Sequence, residues 1–133
     1  MASRIGLTLI LCGAAFSSAA AANCDIAKAP AVPVIKSVPF AQARQTLLAD
    51  GWKPLEGHPH NDLSSNESVF RDRGFTELQF CRMSADSLCR FAYMEGGFVL
   101  WISTTGDEDT TLQTQAVVKS ATLGCAGDPD PEP

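Results

Sequence analysis

The chain has 133 residues, 45% of them hydrophobic, with a formal net charge of −5. That is enough apolar material for one buried core of ordinary domain size. Acidic residues outnumber basic ones 15 to 10, which excludes the basic footprint of a nucleic-acid surface.

Residues 1–22 read as a cleavable signal peptide. Arg4 is the only charge before Asp25, Ile5 to Phe16 form an apolar run, and Ala20 and Ala22 supply a small-residue cleavage site. The run is shorter than the roughly 20 apolar residues that span a bilayer, so no transmembrane segment is expected after cleavage. Lipid attachment at a cysteine wants small residues just before it. Cys12 follows Ile10-Leu11 and Cys24 follows Asn23, so a soluble periplasmic or secreted product is expected, and the short leader suits a bacterium. The mature chain from Asn23 carries nine basic and 15 acidic residues, a net charge of about −6.

Residues 23–39 hold Pro30, Pro33 and Pro39. Each lacks a backbone donor, so this stretch reads as an extended N-terminal arm rather than a central strand. The single α+β domain is placed at 40–125. A helix is predicted over 40–49: Pro39 suits the first turn, Phe40, Ala43 and Leu47 make one apolar stripe, and Gly51 with Trp52 supplies a left-handed stop. Lys53 to Asp62 reads as a polar loop. Ser64 and Glu67 fit a capping box opening a short second helix to about Arg73, with Val69 and Phe70 inward and Gly74 ending it.

From Phe75 the hydrophobic period becomes two. In Phe75–Cys81, Leu78 and Phe80 face one way, and Glu77 and Gln79 the other. In Cys89–Glu95, Cys89, Phe91 and Tyr93 oppose Arg90, Ala92 and Met94. Glu95-Gly96-Gly97 is a hairpin turn, and Phe98–Thr104 sets Phe98, Leu100 and Ile102 against Val99 and Trp101. An acidic turn at 106–109 precedes a fourth strand within Leu112–Leu123. The tail, 126–133, is acidic and proline-rich and is expected to be disordered. The fold class is therefore α+β: one or two helices on an antiparallel sheet of about four strands.

Loss of Cys12 with the signal peptide leaves Cys24, Cys81, Cys89 and Cys125, an even number in an oxidising compartment. Of three possible pairings, Cys81–Cys89 joins the ends of two strands brought together by a hairpin. Cys24–Cys125 then joins the domain's termini, which often lie close.

No combination of residues makes a strong catalytic case. His58, His60 and Asp62 are a weak metal candidate, because Pro59 extends the chain between the imidazoles and a third strong ligand is not indicated. Asp107, Glu108 and Asp109 lack the spacing of a calcium loop. Ser64, His58 and Asp62 share one loop without the rigid orientation a triad needs. No Gly-x-Ser-x-Gly elbow or phosphate-cradling loop occurs. The chain is expected to be no enzyme and to carry no cofactor.

The sheet must present either Trp101 or its opposite face to solvent. An exposed Trp101 with Arg90 and Met94 beside it makes a candidate protein interface; Trp101 packed beneath the N-terminal arm is the alternative. The Asp107–Asp109 turn is a candidate for steering a basic partner.

Ala43-Arg44, Leu47-Leu48, Gly51-Trp52-Lys53-Pro54, Glu77, Cys81, Cys89-Arg90-Phe91 and Thr105-Gly106 together resemble a group of small uncharacterised secreted bacterial proteins. Such proteins carry a helix ending in Gly-Trp and a two-cysteine hairpin. The resemblance covers roughly residues 40–106 and implies the same fold and a Cys81–Cys89 bridge. The build is also similar to that of periplasmic inhibitors of lysozymes and β-lactamases, a likeness of fold alone. The function expected is a non-enzymatic periplasmic or secreted domain that binds another envelope or secreted protein, as an inhibitor or immunity protein of an envelope-acting enzyme. Alternatives are a small-ligand or metal-binding envelope protein and a structural envelope component.

Overall fold

The apolar stripe of the first helix positions everything that follows. In the computed structural model, which describes residues 24–57 and 64–131, α1 spans Phe40–Ala49 with Phe40, Ala43 and Leu47 fully buried. Gly51 stops it at φ +99°. Its N–H donates to Leu48 O while Trp52 N–H donates to Leu47 O, the paired bonds of a Schellman motif. Trp52 is thereby turned back into the core.

The chain then makes a strand absent from the sequence reading. β1, Lys53–Pro54, pairs antiparallel with Met94 and Tyr93, so the presumed polar loop starts on the sheet. Proline is tolerated there because the strand lies at an edge. Next, α2 (Ser65–Asp72) begins with both halves of the capping box formed between Ser64 and Glu67. Phe70 is buried as expected, but Val69 is only half-buried and Glu67 is the second buried residue.

β2 (Leu78–Cys81), β3 (Cys89–Glu95), β4 (Phe98–Thr105) and β5 (Val117–Cys125) complete a five-stranded antiparallel sheet. The order is β1-β3-β4-β5, and β2 shares with β1 the outer edge of β3. The last strand starts later than the predicted Leu112. Asp109 Oδ1 accepts from the N–H groups of Thr111 and Leu112, and an Asp109–Thr114 bridge closes the loop, leaving Leu112 exposed.

Both faces of the sheet are covered. Against the helices, Phe91, Tyr93, Leu100 and Ile102 pack with Phe40, Leu47, Trp52, Phe70 and Phe75. The Phe40 and Phe70 rings meet edge-to-face at 5.9 Å, a favoured aromatic geometry. On the reverse face Ala92, Val99 and Trp101 pack with Leu55. The alternation read for β3 and β4 holds throughout.

Two disulfides staple this arrangement. Cys81–Cys89 closes the β2–β3 pair with Cα atoms 4.0 Å apart, and Cys24–Cys125 ties the arm to the end of β5 at 5.5 Å. Such bridges persist in oxidising compartments. Among the described residues no helix is long and apolar enough to cross a membrane.

Candidate functional site

Three polar constellations and one open strand edge stand out. The first was missed in the sequence. Glu77 has no exposed surface, although alternation placed it on the solvent side. The regular strand begins only at Leu78, so its alternation does not reach residue 77. The register shift that follows sets Leu78 opposite Phe91 but Phe80 opposite Arg90, so Leu78 and Phe80 do not share a face as the sequence suggested. Glu77 Oε1 accepts from Arg44 Nε at 2.5 Å and from Tyr93 Oη at 2.8 Å. Burial, then the charge and hydrogen bond of Glu77, hold the Tyr93 phenol well above its ordinary value. Desolvation acts against the Arg44 guanidinium, but Glu77 outweighs it and holds Arg44 above its own. All three groups are mutually satisfied, and the cluster knits α1 to the sheet.

The second constellation corrects the acidic turn. Glu108 is buried, pairs with Arg73 and accepts from Ala116 N–H at 2.9 Å. Asn66 Oδ1 accepts from Glu108 N–H. Glu108 is therefore an internal tether between α2 and the approach to β5, and it is withdrawn from any steering role. Asp107 is exposed, and Asp109 is half-buried with Oδ1 committed to its own loop.

The third constellation corrects the interface patch. Arg90 is 2% exposed and Trp101 9%, so neither is free surface; Met94 is half-buried. The cover over Arg90 is the C-terminal tail. Asp130 Oδ1 accepts from Arg90 Nε at 2.8 Å and also from Nη2, Pro131 O accepts from Nη2, and Ser103 Oγ accepts from Nη1. Asp128 Oδ2 accepts from Cys125 N–H. The predicted disordered tail is thus placed as far as Pro131. A buried guanidinium demands a carboxylate, and the acidic composition that suggested disorder supplies one.

The open edge belongs to β5. Ala92 directs its N–H to Glu77 O and its C=O to Leu55 N, away from β4. In the antiparallel ladder, Trp101 opposite it therefore bonds Thr122 on β5, which turns Ala121 and Leu123 outward. Val118 is covered by Ser37 and Val38 of the arm. Between Val118 and Cys125 no backbone hydrogen bond is made to this edge among the described residues. The 3-10 turn Ile26–Lys28 lies against β5 and Cys24 is bonded to its last residue, so the exposed stretch is residues 119–122. Beside it a shallow groove of about 340 Å³ runs between Pro33–Lys36 and Lys119–Ala121, with Val34 96% exposed at its rim.

His58, His60 and Asp62 lie outside the described residues. Among those described, no three His, Cys, Asp or Glu side chains gather as a metal-holding group. No protein-family model, curated protein or solved structure matches the chain.

Proposed function

We propose that the chain is a non-enzymatic, extracytoplasmic protein-binding domain, an inhibitor or immunity protein that blocks an envelope-acting enzyme by adding a strand of that enzyme to β5. The carrying observation is the outward backbone of Ala121 and Leu123, which no backbone hydrogen bond meets among the described residues. An exposed edge recruits an extended segment through main-chain hydrogen bonds, with neighbouring pockets choosing its side chains. Val34 at the groove rim supplies an apolar anchor.

Charge favours a foreign strand over a second copy. At net −5, two copies repel, whereas a basic enzyme is attracted over the last nanometre of approach. Lys119 on the edge works in the same direction, since an edge lysine discourages self-pairing. The disulfides restrict motion in the free domain and so reduce the ordering cost of binding. The test is capture of an enzyme from the envelope fraction by the oxidised chain, followed by assay of that enzyme. Stoichiometric loss of its activity supports the reading; a captured enzyme that keeps full activity opposes it.

A further inference from the structure

The niche around Arg90 holds an occupant that fits it incompletely. Arg90 rises from the start of β3, beside Cys89, on the sheet face away from the helices, 2% exposed, with its guanidinium carbon 5.8 Å from the Trp101 ring centroid. A guanidinium presents a planar fork matched to both oxygens of a carboxylate. The tail uses only one: Oδ1 of Asp130 takes both Nε and Nη2, and Oδ2 makes no hydrogen bond among the described residues. The second acceptor on Nη2 is the Pro131 carbonyl. On the same face the Trp101 indole N–H is buried without an acceptor among the described residues, although buried donors are nearly always paired. The occupant is reachable from solvent: Asp130 is 28% exposed, and the tail leaves β5 through Gly127 at φ +90°.

We infer that the Arg90–Ser103–Trp101 niche is a carboxylate-binding site for an acidic extended segment of a partner protein, and that the chain's own tail fills it as a displaceable stand-in. A partner carboxylate binding through both oxygens, with one further acceptor beside it, would keep every Arg90 nitrogen paired. It would also satisfy the Trp101 indole N–H, the one donor on this face that the tail leaves without an acceptor among the described residues. The site stands apart from the β5 edge, and either can fail without the other.

The test uses the full mature chain, isotopically labelled, with the synthetic peptide Gly-Asp-Pro-Asp-Pro-Glu-Pro as probe. The readouts are the Trp101 indole and Arg90 Nε–H resonances. In Asp130→Asn the peptide should shift both saturably, with apparent affinity at least about tenfold tighter than for the unsubstituted chain, whose tethered tail competes at millimolar effective concentration. Adding Arg90→Gln, or replacing the acidic residues of the peptide with amides, should abolish the shifts. No shift in Asp130→Asn, or shifts that survive either control, would overturn the assignment. If Asp130→Asn does not fold, peptide at about 10 mM must displace the tail of the unsubstituted chain, and failure there overturns it equally. A concentration-dependent dimer that Asp130→Asn dissolves would give the niche to a second copy and also overturn it.

Discussion

The Tyr93 hydroxyl donates to Glu77 Oε1 across 2.8 Å in the interior between β3 and α1. Tyr93 is the chain's single tyrosine, so phenolate absorbance reports this bond alone. Its folded pKa is raised by burial and by Glu77, above an unfolded value of about 10. The stabilisation is therefore fully present below pH ~10 and lost as pH rises through the folded value. An alkaline titration should show phenolate appearing together with loss of circular dichroism. Phenolate forming well before unfolding would refute the buried bond.

Among the described residues Arg44 is the only cation bonded to fully buried Glu77. Removing one partner of a buried pair typically costs about 3–5 kcal/mol, because the remaining charge is left uncompensated. Arg44→Met should cost about 3–5 kcal/mol, while Tyr93→Phe should cost about 1–3 kcal/mol for one bond to a charged acceptor. Urea denaturation at neutral pH checks both. A difference of less than about 1 kcal/mol for Arg44→Met would mean that the Arg44–Glu77 pair does not hold α1 to the sheet.

Glu67 does two jobs: Oε2 accepts from Ser64 N–H in the capping box, and Oε1 accepts from Cys81 N–H at 2.7 Å. Ser64→Ala should cost about 1 kcal/mol, the usual worth of an N-cap. Glu67→Ala should cost more, since it also strips a partner from β2. Thermal melts that rank the two in the opposite order would contradict the double role.

Gly57 N–H donates to Thr76 O, and a Cβ at this glycine would stand 1.8 Å from Leu78 O. That is backbone against backbone, with no flexible side chain to yield. Gly57→Ala should therefore destabilise by at least about 1–3 kcal/mol, the range for overpacking. An unchanged denaturation midpoint would show that the segment after β1 does not lie against β2.

Local rules made the framework legible. Phe40, Ala43 and Leu47 with Gly51 specified α1, Ser64 with Glu67 specified the start of α2, alternation through β3 and β4 assigned both faces, and the hairpin between Cys81 and Cys89 gave their pairing. What escaped was set by partners distant in the chain. Glu77 is 33 residues from Arg44, and Arg90 is 40 from Asp130; a carboxylate reads as solvent-facing until its cation is known. The same ambiguity hid Glu108, whose partner Arg73 sits on the far side of the hairpin. Only the composition of the tail hinted at such pairing, and acidity plus proline argued for disorder with equal force.

The central claim is that β5 is the docking edge, and Ala121→Pro tests it most directly. The Ala121 N–H points outward, so proline there removes no ladder bond and suits an edge position; the melting temperature should stay within a few degrees of the parent. Captured against the same envelope fraction, the parent should retain an enzyme in stoichiometric amount and inhibit it, and Ala121→Pro should lose at least about tenfold in affinity, the equivalent of 1.4 kcal/mol. A folded Ala121→Pro chain that binds and inhibits as well as the parent would contradict the account.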